Sequence, residues 1–320
     1  MEQLKLSILG VSSAIPLSNR SPSAQFLAIG NAHFLIDCGE GTQVKLRQHR
    51  IGFGRIKHIL ISHLHGDHFY GLVPLLSSLQ LLDRQAPLYI YGPAKLEEAV
   101  RQQLEITDSI ISYPLHFKVL EASKKSLIFE SDHLEVHSFP LRHGIECFGF
   151  LFQEKPLPLK MNKTELAKHS IPVAEIRRIK AGANWINPEG ETIANEELTF
   201  PSEAPLSYAY VTDSLPVKHL HRVFKGIDLL YHEATFLSTE ADRALKTHHS
   251  TAAQAAEIAE ICKAQNLLIG HFSIRYKSLK PLLEEAAAHF ANSHIAREGY
   301  AFTIDRKIRL LESEKENSYS

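Results

Sequence analysis

Apolar and polar positions alternate along the chain in blocks that predict a mixed α/β fold. LKLSILG (4–10), QFLAI (25–29) and HFLIDC (33–38) read as strands, with GNAH (30–33) as the hairpin turn between the last two. GTQVKLRQH (41–49) has helical spacing. KHILIS (57–62) is a continuous aliphatic run, the mark of a strand buried on both faces. Helical spacing returns over 68–83, APLYIYGP (86–93) is strand and turn, and 94–105 is a helix. Several short strands fill 115–152, including HLEVHSFPL and CFGFLF. Further strands fall at 206–213, 227–233, 266–272 and about 300–310, and helices at 217–224, 251–264 and 281–290. The tail ESEKENSYS (312–320) is polar and predicts fraying.

Strands alternate with helices in both halves while the middle is strand-rich. That order predicts two mixed sheets packed face to face with helices outside them. Residues 153–204 stand apart as an excursion from this core, with one helix over 164–182. From residue 154 to 182 it holds seven Lys/Arg against three Glu in a chain of net charge −1, which predicts an arm that touches a polyanion.

Composition adds limits. The 320 residues suffice for one large domain or two small ones, and near-neutral charge excludes a basic field over the whole surface. Cys38, Cys147 and Cys262 are far apart and form no CxxC, which fits a reducing cytoplasm rather than a disulfide framework. MEQLKLSILG reads as a first strand rather than a secretion signal, and the apolar run 71–82 is too short to span a membrane.

The chemistry concentrates in HLHGDH (63–68). A strand ending at Ser62 sets His63 and His65 two apart on one side of an extended backbone. Gly66 predicts a tight turn, after which Asp67 and His68 face the same space from the start of a helix. Imidazole with carboxylate suits zinc, and such sites also accept manganese. Four ligands from so short a loop cannot all crowd one ion, so two ions are expected, with further ligands at later strand ends: His143, Asp213 and His271. His63, His65, His143 and Asp213 form one predicted set. Asp67, His68, Asp213 and His271 form the other, with Asp213 bridging and a position between the ions for the attacking water.

These motifs resemble the metallo-β-lactamase fold superfamily and, within it, the ribonuclease Z family of tRNA 3′-processing endonucleases. FLIDCGEGTQ (34–43), SHLHGDHFYGL (62–72), HEATF (232–236), HHST (248–251) and GHFSIRY (270–276) carry the resemblance over nearly the whole chain. It implies a metallo-β-lactamase-like αββα sandwich over 1–320 with an inserted tRNA-binding arm at 153–204. It also implies two zinc ions per subunit, a homodimer, and cleavage of precursor tRNA after the discriminator base. By the same resemblance Asp67 orients the attacking water, while His249 and Glu233 protonate the leaving 3′-oxygen, with His248 a bystander. Arg20, Arg275 and the arm's Arg177, Arg178 and Lys180 are expected on substrate phosphates. The family's PxKxR loop reads PLSNR here, so Ser18 stands where the lysine tied to rejecting mature CCA ends would be; the arm also lacks the family's Gly-Pro element. The alternatives are a small-molecule phosphodiesterase or other hydrolase on the same fold, and a nucleic-acid-binding module with structural metals.

Overall fold

In a computed structural model, which describes residues 3–306 and 311–315, the predicted elements form two sheets. The first half runs β1 (Gln3–Gly10), β2 (Ala24–Ile29), β3 (Ala32–Ile36), α1 (Thr42–Gln48), β4 (His58–Leu60), α2 (Gly66–Phe69), α3 (Leu72–Leu81), β5 (Leu88–Gly92), α4 (Leu96–Ile106) and β6 (Leu115–Val119). β7 (Ser126–Glu130), β8 (Leu134–Pro140) and β9 (Phe148–Glu154) follow. The excursion holds β10 (Lys160–Met161), α5 (Lys163–Lys168), α6 (Val173–Lys180), β11 (Trp185–Ile186), β12 (Thr192–Ile193), α7 (Asn195–Leu198) and β13 (Thr199–Phe200). The chain closes with β14 (Ser207–Val211), β15 (Leu229–Glu233), α8 (Ala241–Lys246), α9 (Ala252–Ile261), β16 (Asn266–Gly270), α10 (Lys280–His289), β17 (Ser293–Ile295), β18 (Tyr300–Asp305) and β19 (Leu311–Lys315).

The sheets run β19-β18-β1-β2-β3-β4-β5-β6 and β17-β16-β15-β14-β9-β8-β7. Alternation within single strands shows how they stack. Phe34, Ile36, Leu60 and Tyr91 point into the core between the sheets, where they meet Phe139, Phe150 and Tyr210. Their neighbours Leu35, Ile59, Ile61 and Ile90 point the other way, onto Leu46, Leu75, Leu79 and Val100 of α1, α3 and α4. Both faces are buried, so the strand runs are continuously apolar, as read from the sequence. On the far side α9 and α10 cover the second sheet through Ala252, Ala256, Ala259, Leu282 and Ala286. The result is an αββα sandwich.

Several predicted boundaries move for identifiable reasons. The helix expected over 68–83 breaks at Tyr70–Gly71. Pro74 has no N–H to give Tyr70, and the Gly71 amide donates to Cys38 O (2.8 Å) instead. Gly71 leaves no room for a side chain, since a Cβ would lie 2.0 Å from Gly39 O. The helix expected over 164–182 splits at Pro172, with Ser170 in a left-handed turn (φ 51°). The segment 217–224 makes only a 3-10 turn, Lys218–Arg222, in which Leu220 alone is buried. The tail is ordered farther than expected: 311–315 pairs with β18. Residues 1–2, 307–310 and 316–320, parts of the predicted first strand, last strand and tail, lie outside the described residues.

The excursion leaves the second sheet at the end of β9 and rejoins it at the start of β14, and Ile171, Ile179, Trp185, Ile193 and Leu198 give it a small core of its own. Over 153–204 it carries seven Lys/Arg and eight Glu, so the basic character is confined to its first half. Even there Lys155, Lys160, Lys168 and Arg178 pair with Glu130, Glu203, Glu165 and Glu175.

Candidate metal centre

In both sheets the parallel strands deliver their carboxyl ends to one end of the sandwich, where ligands gather in open α/β sheets. β3 leads to Asp37, β4 to His63, β14 to Asp213, β15 to Glu233 and β16 to His271. His143 arrives on the turn between β8 and β9, held against Asp213 by Arg142 N donating to Ser214 Oγ (3.0 Å) and Leu215 N donating to Arg142 O (2.9 Å).

Both predicted sets assemble. His63, His65, His143 and Asp213 bring one donor atom each within 4.8 Å of one another, and so do Asp67, His68, Asp213 and His271. In the first set His63 Nε2 is 3.2 Å and His143 Nε2 3.1 Å from His65 Nδ1. Asp213 Oδ2 lies 3.6 Å from His63 Nε2. In the second set the other oxygen, Asp213 Oδ1, lies 3.3 Å from His68 Nε2 and 3.2 Å from His271 Nε2. Asp67 Oδ2 lies 3.3 Å from His271 Nε2. One carboxylate therefore serves each set with a different oxygen.

The outward ring nitrogens decide whether this arrangement fits cations. His68 Nδ1 donates to Asp37 Oδ2 (2.7 Å) and His143 Nδ1 to His248 O (3.1 Å). His63 Nδ1 meets Ser62 Oγ at 3.0 Å, and that hydroxyl passes its own proton to Asp37 Oδ2 (2.9 Å). His271 Nδ1 meets Thr235 Oγ1 at 2.9 Å, whose proton goes to Glu233 Oε2 (2.6 Å). Four rings thus commit Nδ1 to an outward partner and turn Nε2 toward the other donors, the usual setting of metal-ligating imidazole. The donor set fits divalent metal. Burial, aided by the His68 charge, pushes His63 well below the usual histidine range. Burial alone would raise Asp213, but the imidazoles of His271 and His68 outweigh it and keep the carboxylate ionised.

Beside the second set sits a buried acid–base pair. Glu233 Oε1 accepts from His249 Nδ1 (3.0 Å), Ser214 N (3.0 Å) and Ser250 N (2.9 Å). Burial alone would lower His249, but the carboxylates of Glu233 and Asp213 outweigh it and raise it to about 9. The ring stacks on His271 with centroids 5.4 Å apart. The HHST segment that carries it is pinned as the start of α9: Thr251 Oγ1 accepts from Gln254 N, and Gln254 Oε1 accepts from Thr251 N, a capping box.

Gly66 sits in the expected tight turn, closed by His68 N donating to His65 O (3.0 Å), without a positive φ. Other residues add to the sequence reading. His248, read as a bystander, has φ 59° and offers its carbonyl to His143. Arg275 is engaged with Glu240 Oε2 (3.0 Å) and Ser273 Oγ (3.1 Å) and lies over the Phe236 ring. Arg20 Nη2 donates to Tyr276 O (3.0 Å). Arg177 and Lys180 border a groove on the arm beside Val173 and Ile176, and Arg178 is paired with Glu175.

Sequence reasoning missed Asp37, Thr235 and Ala14. Asp37 is fully buried and accepts from Ser62 N (2.7 Å), Ser62 Oγ, His68 Nδ1 and Tyr210 OH (2.7 Å). The Ala14 amide donates to Asp67 Oδ2 (2.7 Å). Asp37 has a signal, a lone carboxylate at the end of an aliphatic strand; the Ala14 contact comes from a backbone amide and has none.

A two-sheet αββα sandwich with paired His/Asp sets at one end defines a hydrolase of the metallo-β-lactamase fold. Over 305 residues the chain is 44% identical to ribonuclease Z of Bacteroides thetaiotaomicron, covering 95% of this chain and 96% of that one. It is 42% identical to ribonuclease Z of Phocaeicola vulgatus over 95% and 99% of the two chains. The crystal structure of human tRNase Z, short form, superposes with TM-score 0.67 and 25% identity, covering 94% of this chain and 99% of that one. A family model described as Anti-Pycsar protein Apyc1 matches residues 4–156. The chain belongs to the ribonuclease Z family.

Proposed function

We propose that this chain is a two-zinc endoribonuclease that cuts precursor tRNA just 3′ of the discriminator base, leaving a 3′-hydroxyl on the tRNA and a 5′-phosphate on the trailer. The observation that carries this reading is the juxtaposition of two donor sets sharing Asp213 with the protonated His249–Glu233 pair. His63, His65, His143 and Asp213 would hold one ion; Asp67, His68, Asp213 and His271 the other. Bound there, two divalent cations would supply an acidified water and neutralise charge on a phosphoryl oxygen. Asp67, anchored by the Ala14 amide, orients the attacking water. His249, kept protonated by Glu233, donates to the departing 3′-oxygen.

The arm supports tRNA as substrate through position as well as charge. β9 begins beside the metal loop, where Phe148 N donates to Ser62 O (3.0 Å), and runs seven residues to the arm root. At ~3.3 Å per residue the arm starts about 20 Å from the chemistry, which suits a grip on the tRNA body or on a substrate bound by a neighbouring subunit. Lys163, Arg177 and Lys180 are left without ion pairs among the described residues and would make the phosphate contacts. A homodimer is favoured by an apolar patch on α1 and the end of α3, where Val44, Leu81 and Leu82 are exposed beside two clefts of about 430 and 820 Å³. Such a substrate places the work in the cytoplasm.

The test is cleavage of two precursor tRNAs by metal-replete protein, one with and one without encoded CCA, mapped at nucleotide resolution. Folded, metal-loaded protein that leaves both intact would refute the reading.

A further inference from the structure

The turn at Gly66 needs no positive φ and so does not by itself require glycine; its surroundings do. A Cβ on Gly66 would lie 2.4 Å from Cε2 of Tyr70, so the Tyr70 ring rests directly over this glycine. Gly66 stands between His65, of one donor set, and Asp67, of the other. The ring therefore lies beside the seam where the two sets meet. Tyr70 is 66% exposed, and its hydroxyl has no hydrogen-bond partner among the described residues.

The mouth of the site carries other exposed apolar side chains. Ile15 follows the amide that reaches Asp67, Ile145 lies two residues after His143, and Ile274 lies three after His271. Of these Tyr70 alone presents a flat π face. Folding gives no return for leaving that face in water beside a polar centre, and exposed apolar groups gathered near such a centre mark a ligand surface.

We propose that Tyr70 is a substrate-positioning residue that stacks one unpaired nucleobase flanking the scissile phosphate. The proposal rests on the endoribonuclease reading above. Every base has a π face, so the contact is tolerant of sequence but requires the base to be unstacked from its neighbours. Tyr70 thereby selects for RNA whose nucleotides at the cut are single-stranded. The ring supplies the contact and the hydroxyl does not, so phenylalanine replaces tyrosine.

The test compares single-turnover cleavage of precursor tRNA by the metal-loaded wild type, Tyr70→Ala and Tyr70→Phe. The substrates are intact RNA and RNA with an abasic nucleotide placed on each side of the cleaved bond in turn. Tyr70→Ala is expected to lose about 5- to 150-fold on intact RNA, the range found for removing one base–aromatic stack, with metal content unchanged by elemental analysis. Tyr70→Phe stays within about twofold of wild type. For one of the two abasic substrates, wild type falls to the rate of Tyr70→Ala, and the variant shows no further loss on it. Equal rates for Tyr70→Ala and wild type on intact RNA overturn the proposal. So do multiplicative losses at both abasic positions, which is how mere damage to the Gly66 loop reads out. Failure of the wild type to cleave any precursor tRNA is a different result, and it sinks the endoribonuclease reading instead.

Discussion

Asp37→Asn offers the most discriminating check on how the centre is held together. The Asp37 carboxylate accepts four hydrogen bonds and donates none. Asparagine keeps the shape and tolerates the left-handed backbone found there (φ 56°). It replaces one acceptor oxygen with an amide that donates. If that amide faces His68, the ring is satisfied only by changing tautomer, with Nδ1 accepting and the proton moving to Nε2, the atom directed at the second donor set. Loss of the partner that orients a ligating imidazole typically costs 10- to 100-fold in metal affinity, or about 1.4–2.7 kcal/mol. The same amide faces Tyr210 OH and Ser62 Oγ, hydroxyls that can rotate and accept, at ~1 kcal/mol each; placed at the Oδ1 position instead, it meets the Ser62 backbone amide, a second donor. A chelator-competition titration with zinc should therefore show one weakened ion and one near the wild-type value, because His63 reaches Asp37 only through Ser62. A folded Asp37→Asn protein that binds both ions within twofold of wild type would refute the reasoning.

Other outcomes follow from the same geometry. Asp213→Ala should lose both ions by elemental analysis, since each set uses one of its oxygens, whereas His65→Ala should lose chiefly one. The cleavage rate should fall as pH rises through about 9, as His249 gives up the proton it donates. In Glu233→Gln the carboxylate that raises His249 is gone, so this fall should begin at lower pH; an unmoved alkaline limb would remove His249 from the acid role. Replacing Lys163, Arg177 and Lys180 together by alanine should weaken tRNA binding and lower the slope of log affinity against log salt by about 2–3, with hydrolysis of bis-p-nitrophenyl phosphate retained. Leu81→Asp, at a side chain 86% exposed, should give monomers by light scattering without loss of melting temperature if that patch joins two copies.

The two donor sets were legible because strand periodicity is. Ligands at the carboxyl ends of parallel strands must meet, whatever their separation along the chain, and His63, Asp213 and His271 obey that rule. Long-range hydrogen bonds have no such period. Nothing in FLIDCG announces that Asp37 will reach Tyr210, and nothing in SSAIP announces that the Ala14 amide will reach Asp67. Charge was legible only locally. The count over 154–182 was right, but Glu189, Glu191, Glu196, Glu197 and Glu203 come later in the same excursion, and Lys160 pairs back onto Glu203. Arg275 illustrates the same limit, because Glu240, which engages it, lies 35 positions away in a different element.

The route of β9 and β14 has a further consequence. Both strands run from the metal end to the arm root in one hydrogen-bonded pair, Ser207 opposite Gln153 through Tyr210 opposite Phe150. If the arm grips the substrate as proposed, the separation between grip and cut is built from backbone, as a rigid gauge. Such a gauge changes only in steps. One residue added to β9 would turn Phe150 and Phe152, and one added to β14 Tyr208 and Tyr210, from one face to the other, so the permitted increments are pairs of residues, about 6.6 Å each. Evolution can retune the arm's chemistry continuously, but its distance from the cleaved bond is quantised.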